Sequence, residues 1–268
     1  MDAPQSHPPY RYNSRGWYVL YQRQFLTEIV PCPVHLQKDL FQAQKSHHSL
    51  AEQYHAEYNI LPAYDYVRKN ILTSLKTLYQ DNIKSVLLKE HYRCHPTIIG
   101  FCNKKYYDNQ LVIMTSADNH PFRIIETNIS GGKVNYNQRQ IDETDFYIRE
   151  NYAADFTKVG VIAPYRKHAD MLQKQLPDGA EADTIHKFQG REKDVIIFNT
   201  VKNNIGAFID NPNLINVAVS RAVKEFIVVK PASMELPHGT NIGDMIRYIC
   251  YTTDPKETII KGLYNENL

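Results

Sequence analysis

The sequence predicts an α/β protein whose central sheet is parallel and carries helices on both faces. Short, continuous apolar runs recur between residues 159 and 229, as expected of strands that are buried on both faces. Segments of about ten residues with helical spacing separate these runs. Pro164 and Gly179 stand at two of the junctions, where the chain must turn. Strands that alternate with helices of this length form βαβ units, and such units build a parallel sheet.

The first 85 residues are expected to form a partial or accessory segment that is largely helical. Residues 1–15 are rich in Pro, Ser and Asn, a composition typical of a loop. Gly16–Val30 contains strand-like patches. Residues 36–79 have the Gln, Ala, Leu and Lys content of helices. Pro62 is expected to break them into at least two pieces, because proline cannot continue a helix.

Residues 86–235 are expected to form the α/β domain, and residues 236–268 a C-terminal helical extension. Pro96 can open a helix, because its fixed φ suits the first turn and its missing N–H is not needed there. Asp254-Pro255 separates an apolar helix at Ile242–Tyr251 from a polar end. The remaining predicted elements are strands at Arg123–Glu126, Val159–Ala163, Asp183–Ile185, Asp194–Thr200 and, as the last one, Phe226–Val229, and helices at Asp142–Tyr152, Ala169–Leu176 and Leu214–Arg221.

The composition excludes several classes of protein. Lys and Arg number 31 against 29 Asp and Glu, so net charge does not announce a nucleic-acid partner and any basic surface must be local. The four cysteines are scattered without a CxxC pair, which favours reduced thiols over a disulfide framework. No apolar run reaches the roughly 18 residues of a membrane span, and the polar start is not a signal peptide. We therefore expect a cytoplasmic protein without a membrane partner.

Three polar clusters flank the predicted strands. Arg93 stands just before a predicted helix, Gln189 to Glu192 form a Gly-containing loop between two strands, and Asn216 to Arg221 precede the last strand. Ligands of open parallel sheets bind at the carboxyl ends of the strands, and we expect the three clusters to lie at or next to that edge. Guanidinium groups bind phosphate oxygens and neutralise the charge of a transferred phosphoryl group. The clusters therefore predict a phosphoryl-transfer site.

Each cluster also has an ordinary structural explanation. An arginine on a helix is more often a solvated or ion-paired surface residue, and Gln-Gly in a loop is more often a simple turn. His91, Cys94 and His95 could be metal ligands. A second ligand pair is missing, however, and Cys94 fits better as a small apolar residue, so we expect no metal site.

Four segments in a fixed order are more specific than any single cluster. LLKEHYRCHPTIIGFCNKKYYDNQL resembles motif IV of superfamily 1 helicases, and VGVIAPYRKHADML resembles the strand, turn and helix that follow it. DTIHKFQGREKDVIIFNTV resembles motif V and LINVAVSRAVKEFIVV resembles motif VI. The series, from Leu87 to Ala232, is similar to the C-terminal domain of AAA-type helicases, which is their second RecA-like domain. Within these helicases it most resembles the nonsense-decay and replication-nuclease group, in its bacterial type. The resemblance implies a RecA-like sheet, which is the fold of P-loop NTPases, here without the P-loop.

The resemblance also implies roles for residues of a nucleotide site. Arg93 and Arg221 match the two arginines that reach the γ-phosphate of ATP from the second motor domain, and Arg221 matches the arginine finger. Glu192 matches a carboxylate near the nucleotide ribose, and Gly190 would let the backbone approach the nucleotide closely. Gln189 is similar to a residue that couples the nucleotide site to the nucleic-acid site.

A second set of roles concerns a single-stranded nucleic acid. Thr184 and His186 stand where motif V of the family touches the phosphates of the strand, and Tyr165 follows a loop that lies along it. Ala163 departs from the family pattern, because many members have a threonine whose hydroxyl could bond a phosphate there. The wording of HYRCHP and IHKFQGREKDVI most resembles helicases that act on DNA.

The first half of a helicase nucleotide site is missing from this sequence. No segment matches GxxxxGK[ST], since Gly132-Lys133 lacks both the earlier glycine and the hydroxyl. Asp142-Glu143 follows motif IV, where an acidic Walker B pair does not belong, and Asp2–Gln5 and Gln24-Phe25 are weak candidates for remnants of motif III. We therefore expect a fragment, inactive as an ATPase by itself. A cognate first RecA-like domain would bind most of ATP and Mg²⁺.

Two functions from different classes remain open at this point. The first is an ATP-dependent DNA helicase or translocase, to which this chain contributes its second motor domain. The second is a non-hydrolytic module that retains the helicase fold and binds nucleic acid or protein. The 19 tyrosines, interleaved with Lys and Arg, could stack bases in such a module, although ordinary packing is the commoner role of tyrosine.

Overall fold

The computed structural model describes residues 48–59, 61–65, 69, 71–82, 88–127 and 135–262. The chain divides into two compact units, Met1–Leu87 and Leu88–Leu268. The domain boundaries expected near residues 85 and 235 remain proposals. The predicted features that lie outside the described residues are the patches at Gly16–Val30, the motif III candidates at Asp2–Gln5 and Gln24-Phe25, and the Gly132-Lys133 pair.

The described part of the first unit is helical. Helix α1 is His48–Tyr58 and helix α2 is Ile71–Tyr79. Short 3-10 turns lie at Pro62–Tyr64 and Gln80–Asn82. Pro62 stands at the first position of its turn, between the two helices. The predicted break at this proline is therefore confirmed, because its ring and its missing N–H allow it to begin a turn but not to continue a helix.

The second unit is built on a parallel sheet. Six strands lie in the order β5-β4-β6-β7-β3-β8, and every described pair among them is parallel. β1 and β2 form a separate parallel pair. The strands are β1 (Glu90–His91), β2 (Val112–Ile113), β3 (Phe122–Thr127), β4 (Val159–Ala163), β5 (Glu181–Thr184), β6 (Lys193–Asn199), β7 (Ala222–Pro231) and β8 (Ile259–Lys261).

Helices cover both faces of this sheet, so the predicted α/β class is confirmed. The helices are α3 (Pro96–Tyr106), α4 (Gln138–Asn151), α5 (Arg166–Gln175), α6 (Pro212–Ser220), α7 (Asn241–Thr252) and the short α8 (Pro255–Thr258). Helices α3, α6 and α7 pack on one face, and α4 and α5 pack on the other. Within β6, Ile196 and Phe198 belong to the first core, whereas Val195 and Ile197 belong to the second. This alternation explains the continuous apolar runs of the sequence.

Three strands were not predicted. The expectation that Phe226–Val229 is the last strand is wrong, because β8 follows α7 and pairs with β3 at the edge of the sheet. β8 lies in the segment predicted to be a polar end, and only three of its residues form a strand. β1 and β2 are two residues long each, too short for an apolar or alternating pattern to appear. Short edge strands depend on pairing with a neighbour that the local sequence does not reveal.

Candidate functional site

Two charged residues stand directly before the neighbouring strands β6 and β7, at the amino edge of the sheet. Glu192 immediately precedes β6, and Arg221 immediately precedes β7. Lys193 pairs with Ala222 in the ladder, and the Lys193 N–H donates to the Arg221 carbonyl oxygen at 3.2 Å. The backbone of the parallel sheet therefore places a carboxylate and a guanidinium group on adjacent strand starts.

Arg93 joins them from the loop before α3. This loop runs beside β7, since the His95 N–H donates to the Val223 carbonyl oxygen at 2.7 Å. Arg93 Nη1 donates to Glu192 Oε2 at 2.9 Å, and Nη2 donates to the Ser220 carbonyl oxygen at 2.8 Å. One ion pair and one backbone bond thus hold Arg93 next to Arg221, although more than a hundred residues separate the two arginines in the chain.

This cluster holds more positive than negative charge. Arg221 is only 8% exposed, and its Nη2 reaches the hydroxyl of Ser220 at 3.4 Å. Among the described residues, the buried Nε atoms of Arg93 and Arg221 have no hydrogen-bond partner. Burial, followed by the positive charge of Arg93, lowers the pKa of Arg221. Two guanidinium groups beside the single carboxylate of Glu192 form a partly buried cationic site that suits an anion.

The position of this cluster corrects one expectation. We expected these residues at the carboxyl ends of strands, but Arg93, Glu192 and Arg221 lie at the amino edge of β6 and β7. In a parallel sheet each connection returns from the carboxyl end of one strand to the amino end of the next. A residue directly before a strand therefore lies at the amino edge, and the positions of Glu192 and Arg221 in the sequence already carried this signal.

The loop between β5 and β6 crosses the sheet and positions Gln189 and Glu192. Phe188 in this loop is fully buried and belongs to the core on the α3 face. Gly160 of β4 leaves room for it, because a Cβ built at Gly160 would lie 2.8 Å from Phe188 Cε1. Gly190 has a φ of +79° and no atom within 4 Å of a built Cβ, so its backbone faces open space. Sequence reasoning missed Phe188 and Gly160; an aromatic residue in a polar loop was the available signal.

The residues expected to contact a nucleic acid lie at the opposite, carboxyl edge. Thr184 ends β5 and pairs with Ala163, the last residue of β4. Tyr165 follows β4 at the start of α5, and His186 is exposed in the turn after β5. The Thr184 carbonyl oxygen accepts bonds from two N–H groups of that turn, at 3.0 and 3.1 Å. The structure thus brings Thr184, His186 and Tyr165 to one edge and the arginine cluster to the other.

A cavity of about 560 Å³ adjoins Tyr165 at this carboxyl edge. Arg166 at its rim is neutralised by Asp170 at 2.8 Å and Asp183 at 3.3 Å. Lys167 lies over the ring of Tyr136, with its Nζ 4.5 Å from the ring centroid. The lining residues are Asn135, Tyr165, Arg166, Lys167, Asp170, Met171 and Lys174.

His91, Cys94 and His95 hold the loop that carries Arg93. His91 Nε2 accepts a bond from the Cys94 N–H at 2.9 Å, and the Cys94 thiol donates to the Ser220 carbonyl oxygen at 3.4 Å. Burial and the charge of Arg93 lower the pKa of His91 to about 4, so its ring is neutral at pH 7. His95 Nδ1 accepts the Thr97 N–H and caps α3. In the part of the chain that the structure describes, no three His, Cys, Asp or Glu side chains are grouped to hold a metal ion.

Part of this chain matches a known protein family and known helicases. Residues 134–233 match the family described as AAA domain. The DNA replication ATP-dependent helicase/nuclease DNA2 of Gallus gallus is 27% identical over 172 residues, which are 58% of this chain and 17% of that protein. Helicase sen1 of Schizosaccharomyces pombe is 27% identical over 195 residues, which are 60% of this chain and 12% of that protein. A solved C-terminal domain of a possible DNA helicase from Lactobacillus plantarum WCFS1 has a TM-score of 0.40 and 15% identity, over 64% of this chain and 98% of that chain.

These matches support the resemblance to the C-terminal domain of superfamily 1 helicases that the four motifs predicted. The bacterial type and the roles of individual residues remain predictions. The chain spans only 17%, 22% and 20% of the length of the first three curated relatives. Among the described residues, no helix has both the length and the apolarity required to cross a bilayer.

Proposed function

We propose that residues 86–235 are the second RecA-like motor domain of an ATP-dependent DNA helicase or translocase. In this proposal a cognate first RecA-like domain binds most of ATP and its Mg²⁺. Arg93 and Arg221 bind the γ-phosphate from the other side of the cleft, with Arg221 as the arginine finger. Thr184, His186 and Tyr165 contact a single DNA strand. The similarity to DNA2 of Gallus gallus and to sen1 of Schizosaccharomyces pombe, both helicases by name, supports the helicase class.

The observation that carries this proposal is the arginine pair, in which Arg221 is buried and Arg93 is partly buried. Arg221 is almost fully buried without a carboxylate of its own, and the only ion pair of Arg93 in the described chain is the one with Glu192. Leaving guanidinium groups buried and incompletely bonded is unfavourable unless another anion completes the site. A triphosphate meets this requirement, because each guanidinium can donate two parallel bonds to phosphate oxygens.

The surroundings of the pair fit a nucleotide as well. Gly190 has a left-handed backbone with open space around it, so a ligand can approach the loop closely. Glu192 is about half exposed while bound to Arg93, which leaves carboxylate surface for a ribose hydroxyl. When bound, ATP supplies the phosphoryl group whose transfer to water releases free energy. The arginines of this chain orient that group and stabilise the negative charge that develops on it.

Reconstitution with the cognate first domain tests the nucleotide site. We expect ATPase activity that single-stranded DNA stimulates, and a decrease of at least about 100-fold in Arg221→Ala, the scale of arginine fingers. Arg149→Ala is the matched control, because Arg149 is half exposed on α4 and bonded to Asp145. An ATPase that is insensitive to Arg221→Ala would contradict the proposal. So would ATP turnover by the pure chain, which we expect to be inactive.

A non-hydrolytic binding module is the second candidate. It is favoured by the carboxyl edge, where the proposed strand contacts all come from this chain and need no partner domain. This function predicts that the chain binds single-stranded DNA while reconstitution with any first domain gives no stimulated ATPase. Reconstitution therefore distinguishes the two functions, and binding by the chain alone is compatible with both.

A further inference from the structure

We propose that Phe208 and Lys202, together with Tyr165, bind one nucleotide of the strand at the carboxyl end of β6. A base stacks on Phe208 and the adjacent phosphate is bound by Lys202. This inference rests on the proposed nucleic-acid function. It extends the proposed nucleic-acid site from β5 and β4 to the neighbouring β-strand, β6. Of the contacts already proposed, Thr184 ends β5 and Tyr165 follows β4.

Phe208 is an exposed aromatic side chain on a loop that is anchored to the core. It is 56% exposed, and its ring lies 5.5 Å from that of Tyr165, tilted by 30°. The next residue, Ile209, is fully buried in the core. Asp210 then accepts the N–H of Ile242, at 2.9 Å, which ties the loop to the start of α7. A ring held in this way loses little conformational entropy when a planar base stacks on it.

Lys202 also lies against the ring of Tyr165. Its Nζ is 4.8 Å from the centroid of the Tyr165 ring. Among the described residues, no carboxylate lies within ion-pair distance of Lys202 or of Lys167, the cation at the neighbouring cavity. Exposed arginines of the same edge, such as Arg166, are already paired with aspartates. Lys202 and Lys167 are therefore both available for phosphate.

A strained turn sets the position of Lys202. Val201 has a φ of +68°, a left-handed conformation that a β-branched residue rarely adopts. The Lys202 N–H donates to the Thr200 carbonyl oxygen at 2.8 Å, which closes a three-residue turn. Gln140 accepts the Val201 N–H at 2.9 Å, and Asn137 donates to the Val201 carbonyl oxygen at 3.2 Å. Side chains of α4 and its cap thus hold the turn and aim the chain at Tyr165.

The strand order makes these residues a continuous row. β5, β4 and β6 are neighbours in the sheet, and Thr184, Tyr165 and Lys202 lie at or just beyond their carboxyl ends. The row presents a hydroxyl group, an aromatic ring and an ammonium group in turn. Aromatic faces flanked by unpaired cations favour a polyanion with planar bases over an apolar peptide, which would gain nothing from the ammonium groups.

Fluorescence anisotropy of the full chain tests the stacking contact. The probes are a labelled oligo-dT and an abasic oligonucleotide of equal length, which keeps the phosphates without the bases. We expect Phe208→Ala and Phe208→Leu to weaken oligo-dT binding about 10-fold and to leave abasic binding unchanged, because one base stack is lost. Tyr251→Ala is the matched control, since Tyr251 on α7 is 86% exposed, and we expect it to bind like the wild type.

Lys202→Gln tests the phosphate contact independently. We expect it to weaken both probes and to reduce the slope of log K against log salt by about 0.7, the value for one phosphate of a single strand. If the wild type binds oligo-dT but the Phe208 variants bind it equally well, or lose both probes equally, stacking is wrong while the proposed function stands. If the wild type binds neither probe at low salt, the proposed nucleic-acid function and this inference both fail. Thermal unfolding of each variant confirms that it folds.

Discussion

At the scale of single residues, the positive charge of Arg221 is buried without enough bonding partners to compensate for the loss of water. Its guanidinium group is buried, its Nε lacks a partner in the described chain, and the nearby carboxylate is bonded to Arg93. Such a residue contributes little to folding, because burial of the charge offsets the few bonds that it makes. Stability and function therefore make opposite demands at this position.

Replacement of Arg221 by methionine separates the effect of this residue on stability from its proposed role in phosphate binding. We expect Arg221→Met to leave the free energy of unfolding unchanged or to raise it by about 1–2 kcal/mol, since an apolar side chain of similar volume removes an unpaired buried charge. Urea denaturation measures this difference. Arg93→Met is the contrasting variant, and we expect it to be destabilised, because Arg93 bonds both Glu192 and the Ser220 carbonyl oxygen. A loss of more than about 2 kcal/mol in Arg221→Met would show that the residue is structural.

His168 is a second residue with a specific expected effect, on the pH dependence of stability. Burial lowers its pKa to about 4, and its ring accepts the Asn137 N–H at 3.2 Å and lies 3.4 Å from Asn199 Oδ1. The unfolded chain takes up the proton near pH 6.5, before the folded chain does. The contribution of neutral His168 to the free energy of unfolding is therefore fully present above about pH 6.5. It decreases by up to about 3 kcal/mol as the pH falls toward 4.

Urea denaturation at pH 7.5, 5.5 and 4.5 checks this dependence. We expect His168→Gln to be less stable at pH 7.5 and to lose less stability on acidification than the wild type. His91, whose pKa is also lowered to about 4, contributes in the same direction and should leave part of the slope in that variant. His238→Gln is the control at an exposed position. An unchanged slope in His168→Gln would mean that other groups cause the acid sensitivity.

At the scale of elements, the loop from β5 to β6 links the two candidate sites. It begins beside Thr184 at the carboxyl edge and ends at Glu192 at the amino edge. Phe188 anchors its middle in the core, and Gly160 of β4 provides the space. A residue without any proposed chemical role thus positions Gln189, the residue that the resemblance assigns to coupling.

Truncation of this anchor tests its role. We expect Phe188→Ala to lower the free energy of unfolding by about 3–5 kcal/mol, because it leaves a cavity in a closely packed core. Phe188→Leu should lose less, since much of the apolar contact remains. Chemical denaturation gives the stability, and the Kd for oligo-dT shows whether the loop still presents Thr184. Native stability of Phe188→Ala would contradict the anchoring role of the ring.

At the scale of the whole second unit, the parallel sheet separates the two sites. The arginine cluster lies at the amino edge of β6 and β7, and the aromatic row lies at the carboxyl edge of β5, β4 and β6. Groups so far apart that share no partner act independently unless a motion of the domain couples them. In the isolated chain no bound nucleotide drives such a motion.

We therefore expect the two edges to be independent in the isolated chain. Arg221→Ala should bind oligo-dT with a Kd within about twofold of the wild type, whereas Phe208→Ala should bind it about 10-fold more weakly. Both values come from the same anisotropy titrations. A large loss of DNA binding in Arg221→Ala would mean that the strand also contacts the amino edge.

The segment after residue 235, expected to be a separate C-terminal extension, packs on the core of the second unit. Ile242, Met245 and Ile249 of α7 are buried in the same core as α3 and α6, and β8 extends the sheet beside β3. We expect a chain cut after residue 235 to be unstable, because it exposes this core face. Expression of residues 88–268, in contrast, should give a folded protein with a single cooperative thermal transition. A soluble, cooperatively folding chain that ends at residue 235 would contradict this expectation.

The sequence alone predicts the α/β class, the long central strands and the helicase resemblance. Strands such as β4 and β6 are buried on both faces, so burial itself produces apolar runs that are visible without a structure. The motif order likewise needs no coordinates, because it is a property of the chain. Arg93, Glu192 and Arg221 were all singled out in this way, and the structure brings their side chains together.

Only the tertiary structure decided which strands are neighbours and therefore which loops lie side by side. Tyr165 follows β4, whereas Lys202 and Phe208 both lie in the loop after β6, and they meet because β4 and β6 are neighbours, an order that the chain does not state. The short strands β1, β2 and β8 were hidden for the same reason, since each forms only by pairing with a distant segment. Local sequence records burial and turn chemistry, whereas contacts between distant segments depend on the packing of the whole unit.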